Sequence, residues 1–197
     1  WGLYYTQFQY GASWTDDDAA TRRAPIWQAE YDRTRRTWGF NYLLKGLGEG
    51  FDAQAGFVNR LRSNVINGHA FNRLSWYGAP GAFVETVNVV TNPSRVWDYS
   101  RFGSERAVEG NDGISADITM RGGWSTEIGV ERNFYHPDAR DYQDLAIETL
   151  HGLRPYVPPD VVRGVGVSFD IETPTYRKFD ASFGIGYVVD VTARSLK

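Results

Sequence analysis

The sequence predicts an all-β fold: an antiparallel up-and-down transmembrane β-barrel, or a large part of one, with about 10–12 strands. Apolar and polar residues alternate through long segments such as Tyr4–Trp14 and Phe179–Asp190, which places the two sets on opposite faces of a sheet. A soluble strand has about 5–6 residues, whereas a membrane-spanning strand needs about 9–11, and these segments match the longer class. Aromatic residues make up 15% of the chain, and Tyr and Trp suit membrane interfaces.

The alternation predicts eleven strands, of which the sixth and seventh are weak because their polar and apolar residues do not separate. The predicted strands are residues 3–14, 24–33, 37–46, 51–62, 66–77, 82–91, 95–102, 113–121, 124–134, 163–172 and 177–190. Single-chain bacterial barrels normally have an even number of strands. We therefore expect one barrel domain over residues 1–197, or a fragment of a larger barrel.

Tight turns and longer connections alternate along the predicted strands. The tight turns are predicted at Thr34–Arg36, Asn92–Ser94, Gly122–Gly123 and Pro174–Thr175, and the longer connections at 15–23, 103–112 and 135–162. Such asymmetry between the two ends of a sheet is typical of outer-membrane barrels. The segment 135–162 is predicted to be a long irregular loop with one or two helical turns within 141–150, followed by prolines that oppose regular structure.

The alternation also predicts which side chains face the lumen and which face lipid, because charged groups facing lipid are costly. The predicted lumen-lining residues are Gln7, Gln9, Glu30, Asn41, Lys45, Asp117, Glu127, Glu131 and Asp170. The predicted lipid-facing residues are Phe8, Tyr10, Trp38, Phe40, Ile118, Ile128, Phe169, Phe183 and Ile185. Such a lumen is either a carboxylate-lined passage for cations or polyols, or a satisfied polar network inside a barrel that conducts nothing.

One motif resembles a known family. After Trp38-Gly39-Phe40-Asn41-Tyr42 comes the pattern Phe-x-Ala-x-x-Gly-Phe-Val-x-Arg, at Phe51, Ala53, Gly56, Phe57, Val58 and Arg60. It is similar to the barrel portion of uncharacterised bacterial outer-membrane proteins that carry an N-terminal carbohydrate-binding domain of the family-nine type. The resemblance implies an outer-membrane location and an association with glycans, and it supplies no catalytic residues. The carbohydrate-binding domain has no counterpart in these 197 residues.

Other candidate sites favour structural roles. Three consecutive acids at Asp16–Asp18 lack the alternate spacing of a calcium loop. His69, His136 and His151 match neither a zinc template nor a hydrolase motif. The basic turn 33–36 is either a contact for anionic lipid headgroups or simply solvated. We expect no catalytic residue, no metal and no cofactor.

The composition excludes some function classes. The chain has no cysteine, so thiol chemistry and zinc–thiolate sites are excluded, and its net charge of −3 argues against a nucleic-acid surface. We expect a non-enzymatic protein of the bacterial outer membrane, whose partners are membrane lipid and either a small polar solute or other membrane proteins. It would be a channel for small hydrophilic solutes or an anchor for a surface assembly. The alternative is a soluble β-barrel or sandwich that binds a glycan or an apolar ligand.

Overall fold

The structure is a computed structural model that describes residues 2–17, 20–51, 63–150 and 152–190. It is all-β and antiparallel, as predicted. The strands are β1 (Leu3–Asp17), β2 (Ala20–Thr34), β3 (Trp38–Leu47), β4 (Val65–Tyr77), β5 (Val84–Thr91), β6 (Ser94–Asp98), β7 (Glu109–Met120), β8 (Trp124–Tyr135), β9 (Ala146–Thr149), β10 (Gly152–Pro155), β11 (Val162–Glu172) and β12 (Ser182–Asp190). A 3-10 helix covers Ala139–Tyr142.

Ten of these strands form one sheet in the order β1-β2-β3-β4-β5-β7-β8-β11-β12, and β6 also lies between β4 and β7. β5 and β6 share one position because both pair with β4 and β7 in a single register. Pro93 interrupts this strand, since proline has no N–H to donate, but its carbonyl still accepts from the Ala70 N–H at 2.9 Å. The sheet therefore has nine strand positions, with β1 and β12 at its edges.

Several predicted boundaries were wrong. The chain does not turn at Asn92–Ser94 but continues in the same direction from β5 into β6. The predicted loop 15–23 is mostly strand, because β1 extends to Asp17 and β2 begins at Ala20. Residues 146–155, expected to be partly helical and then irregular, form the small β9–β10 hairpin. The predicted strand 51–62 lies almost wholly outside the described residues, and β3 pairs directly with β4.

The connections define two ends of the sheet. At the turn end, residues 35–37, 78–83, 121–123 and 173–181 join the strands. Gly122 and Gly123 have φ values of 89° and 85°, which L-residues with a side chain rarely adopt, so this tight turn depends on glycine. At the loop end, the connections are 18–19, 48–64, 99–108 and 136–161.

The register sorts the side chains into two faces, because directly paired residues point to the same side of an antiparallel sheet. The apolar face contains Phe8, Ala29, Leu44, Val89, Ile114, Ile128, Phe169 and Ile185 with their alternate neighbours. The polar face contains Gln7, Glu30, Leu43, His69, Asn88, Asp117, Glu127, Asp170 and Gly184 with theirs. No second layer covers either face in the described part of the chain.

The burial pattern is that of a single layer without a conventional core. Among the described residues, the buried apolar side chains are Ala24, Phe40, Leu47 and Ile66. The chain exposes 14,422 Å² of surface, whereas a compact protein of its mass exposes about 9,400 Å². Phe40 is buried only because the rings of Tyr42, Tyr31 and Trp38 lie around it, with centroids at 4.7, 5.1 and 5.4 Å. Both faces of the sheet are therefore largely open in the described part of the chain.

Candidate functional site

The two predicted residue sets fall on opposite faces of the sheet. All nine residues predicted to line a lumen lie on the polar face, and all nine predicted to face lipid lie on the apolar face. The sheet itself does not identify what contacts either face. It does make each face a continuous surface with one chemical character.

Carboxylates gather on the half of the polar face formed by β7, β8, β11 and β12. Asp117 pairs with Glu127, and Glu127 pairs with Asp170, so three acids from adjacent strands form one row. Within the described residues of these four strands, neither Lys nor Arg occurs on the polar face. Like charges directly opposite each other repel, so this arrangement favours a hydrated surface that attracts cations.

Two depressions lie on this acidic half. The first, of about 280 Å³, has a floor of small residues that includes Ser115, Gly129 and Ser168, and both Glu127 and Glu131 border it. The second, of about 180 Å³, is bordered by four carboxylates. These are Asp117, Glu127, Asp170 and Glu172. The surface is therefore grooved, and carboxylates border both depressions.

Glycine residues allow two carboxylates to lie across the neighbouring strand. A Cβ at Gly166 would stand 2.9 Å from Cγ of Glu131, and a Cβ at Gly184 would overlap the Asp170 carboxylate. Both acids therefore extend along the surface of the sheet rather than straight out from it. This holds the negative charge close to the floor of the grooves.

The other half of the polar face, on β1 to β6, is mixed in charge. Lys45 and Arg73 lie there, and the Asn41 amide donates to Glu30 at 2.6 Å. Arg73 and Asn88 belong to this face but were not among the predicted lumen residues. Both lie within predicted strands, 66–77 and 82–91, whose alternation was the signal, but in 82–91 the polar and apolar residues do not separate. The Ser75 hydroxyl donates to Asn88 at 2.6 Å.

All six tryptophans in the described residues lie on the apolar face. Three lie toward the turn end, namely Trp38, Trp76 and Trp124, and three toward the loop end, namely Trp14, Trp27 and Trp97. Trp1 lies outside the described residues. Tryptophan prefers the interface between an apolar layer and water. Tryptophans at two opposite margins of one face are the arrangement expected beside an apolar layer of limited thickness with water on both sides.

Charged residues on the apolar face limit an uncharged belt. Toward the loop end these residues are Arg23 in β2, Arg95 in β6, Asp112 in β7, Arg132 in β8 and Arg163 in β11. In β2 the belt lies between Arg33 and Arg23, and in β8 it ends at Arg132. Arg132 occupies the same hydrogen-bonded row as Tyr31 of β2. Tyr31 and Arg23 are eight residues apart in β2. Between β2 and β8, which lie about 24 Å apart across the sheet, the loop-end limit of the belt therefore shifts by about 27 Å along the strand direction. Between β2 and β8 this limit is thus inclined by about 45° to the hydrogen-bonded rows. It turns back in β11, where Arg163 lies in the same row as Arg95 and Ala29.

The long connection at the loop end is ordered by its own contacts. The Arg140 side chain and backbone N–H donate to Asp138, and these hydrogen bonds lower the pKa of Asp138 to about 2. Nδ1 of His136 lies 2.7 Å from the Asp160 carbonyl oxygen, and the Tyr156 N–H donates to the Leu145 carbonyl. The connection is therefore a folded structure at the mouth of the acidic half rather than a loose loop.

The described residues do not assemble a recognisable catalytic or metal centre. In the portions of the chain that the structure describes, no group of three or more His, Cys, Asp or Glu residues is arranged to hold a metal ion. His69 and His136 lie on separate elements, and His151 is outside the described residues. The Thr21 hydroxyl donates to Asp16 at 2.7 Å, while the side chains of Asp17 and Asp18 are outside that portion.

Comparison with protein-family models, with curated proteins and with solved structures found no match. Most of the family-like motif, Phe51–Arg60, lies outside the described residues. No helix among the described residues is long and apolar enough to span a membrane.

Proposed function

We propose that this chain forms the wall of a bacterial outer-membrane β-barrel, with its apolar face against lipid and its polar face toward an acidic aqueous lumen. The observation that supports this most strongly is the amphipathic single sheet, with both faces exposed and, on one of them, an uncharged belt whose loop-end limit is oblique between β2 and β8. In this proposal the lumen admits small hydrophilic solutes and favours cations and uncharged polyols over anions.

Lipid is the covering that best fits the apolar face. Monomeric soluble proteins rarely expose a contiguous apolar patch larger than a few hundred Å², yet this face runs across all nine strand positions. Phe8, Phe183 and Ile185 are each more than half exposed on it. A second protein layer would also cover the face, but it would not require tryptophans at both margins or a charge limit inclined to the hydrogen-bonded rows.

The number of strand positions bears on how the barrel would close. In a meander of nine positions, the first and last strands run in the same direction, so β1 and β12 could pair with each other only in parallel. Closure through antiparallel pairs alone needs an odd number of further strands between these two edges. We therefore propose that the nine positions are part of a larger barrel.

The family-like motif extends the proposal. If the chain is related to the outer-membrane proteins with a family-nine-type carbohydrate-binding domain, the solute class is carbohydrate. The polar face suits it, because sugars are recognised through hydrogen bonds to carboxylates and amides such as Glu131 and Asn88.

The first experiment tests the location. The chain is expressed with an export signal, refolded into vesicles, and its tryptophan emission is measured with ordinary and brominated lipids. Strong quenching by bromine is expected, because the six described tryptophans all lie on the face assigned to lipid. Resistance to carbonate extraction and a heat-dependent shift on a gel should accompany it. A soluble product with unquenched emission would contradict the proposal and favour the soluble module with an interior ligand.

The second experiment tests the lumen in planar bilayers. Cation-selective conductance is expected, and Asp170→Asn should lower the cation preference because it removes one charge from the acidic row. Asp144→Asn, in the long connection, is the matched control and should leave the selectivity unchanged. An inserted protein without conductance would reject the channel and leave the anchor for a surface assembly.

A further inference from the structure

Arg33 occupies an unusual position on the apolar face at the turn end. Its guanidinium lies between two aromatic rings, with Cζ 5.4 Å from the centroid of Tyr4 and 4.4 Å from that of Trp38. Only 7% of the residue is exposed. A permanently charged group is thus held where the sheet is otherwise aromatic.

Two of the three nitrogens of this guanidinium lack acceptors. Nε and Nη1 of Arg33 are buried and have no hydrogen-bond partner within the described structure. A buried donor without an acceptor costs about 1–3 kcal/mol, and more when it is charged. The cation–π contacts recover only part of that. An anionic acceptor from outside the described residues would therefore stabilise this guanidinium.

The surrounding residues supply positive charge and no competing acid. Arg35 and Arg36 follow in the adjoining turn and are exposed. The nearest acid in sequence, Asp32, points to the polar face, where it accepts the Thr34 hydroxyl at 3.3 Å. Tyr4 and Trp38 are 53% and 41% exposed, so the two rings that flank the guanidinium lie at the surface themselves.

We propose that Arg33, with Arg35 beside it, binds the phosphate group of a membrane lipid at the turn end of the sheet. A guanidinium offers two parallel N–H donors that match two phosphate oxygens. Arg33 sits at the margin of the uncharged belt, the level at which lipid phosphates would lie. That the phosphate belongs to a lipid depends on the proposed membrane location. That a phosphate binds here depends only on the residues around Arg33.

Arg23 provides a matched control. It lies on the same strand and the same face, at the opposite margin, with its guanidinium 5.6 Å from the Trp14 ring. Its Nη2 already donates to the Tyr10 hydroxyl at 2.9 Å. Arg33→Gln and Arg23→Gln therefore make the same chemical change beside an aromatic ring, but only the first removes two buried nitrogens that lack acceptors.

The test uses the full chain refolded in a maltoside detergent, which contains no phosphate. Short-chain phosphatidylglycerol, the matching diacylglycerol and inorganic phosphate are each titrated while tryptophan emission is followed. Saturable binding of phosphatidylglycerol is expected, with Kd raised about tenfold in Arg33→Gln and less than about twofold in Arg23→Gln. Equal binding of inorganic phosphate would retain the phosphate site but assign it to a free anion.

Two results would overturn the proposal: binding of diacylglycerol as tight as that of phosphatidylglycerol, or an unchanged Kd in Arg33→Gln. If Arg33→Gln does not refold, Arg33→Lys takes its place. A several-fold loss is then expected because an ammonium cannot make the paired contact, and wild-type affinity would reject the site. Quenching by brominated lipid, measured separately, reports whether the membrane location has failed instead.

Discussion

Introducing arginine at two successive positions of β8 should have opposite effects on stability in a bilayer. Ile128 lies on the apolar face in a row with Ala116, Phe169 and Ile185, and it is 49% exposed. Arg132 is the nearest charge on that face along β8, about 13 Å away. Arginine near the bilayer centre costs about 2–4 kcal/mol. The packing lost from the covered half of the side chain adds roughly 1 kcal/mol, so Ile128→Arg should cost about 3–5 kcal/mol.

Glu127→Arg, on the polar face, should be neutral or stabilising. Its row partners are Asp117 and Asp170, and each new opposite-charge pair across strands contributes about 0.2–1 kcal/mol. The assay is denaturant unfolding from lipid vesicles, followed by tryptophan emission and extrapolated linearly. A variant Ile128→Arg as stable as the wild type would refute the assignment of the apolar face to lipid. A loss of several kcal/mol in Glu127→Arg would show that the polar face is packed rather than hydrated.

Two further predictions concern local contacts. Gly46→Ala should destabilise the sheet by about 1–3 kcal/mol and shift the tryptophan emission, because the new methyl would overlap the Trp27 indole. Gly186→Ala, where the nearest atom is 3.8 Å from the new methyl, should leave thermal unfolding unchanged. The pKa of Asp138, lowered from 3.8 to about 2 by hydrogen bonds from Arg140, should return toward 3.8 in Arg140→Gln when measured by NMR titration. Because the folded-state pKa is lowered, this contact stabilises its loop above pH 3.8 and is lost as the pH falls through about 2.

The faces of the sheet and its up-and-down strand order were predictable from sequence, but the register between neighbouring strands was not. Alternation is a local property, so Phe8 and Gln7, or Ile128 and Glu127, could be assigned to opposite faces without knowing which strands pair. The row of Asp117, Glu127 and Asp170 depends on register across three strands. Register is set by turn geometry and by the lengths of the connections, which the alternation does not contain.

Two errors have identifiable physical causes. Asn92-Pro93-Ser94 has the composition of a turn, but β4 and β7 extend past it on both sides, and their hydrogen bonds hold the chain extended through Pro93. Residues 33–36 were taken together as one basic turn. Alternation from Tyr31 already places Arg33 on the aromatic face, and that parity could have separated it from Arg36, whose guanidinium lies over the Tyr77 ring.

The oblique limit of the belt between β2 and β8 is the feature that best distinguishes a membrane wall from a soluble sheet. In a sandwich, the covering sheet packs at about −30° or 90° to the strands beneath it, and neither angle is the inclination of the charge limit between β2 and β8. In a bilayer, the boundary between hydrocarbon and water is a plane, and tilted strands cross it at an angle. The point at which each strand crosses the boundary therefore shifts from one strand to the next by an amount that the tilt determines. The shift from Arg23 in β2 to Arg132 in β8 corresponds to about 45°, the tilt such strands normally have. Because no single strand contains this relation, we take it as support for the proposed membrane wall, in which Arg33 lies at the turn-end margin of the belt.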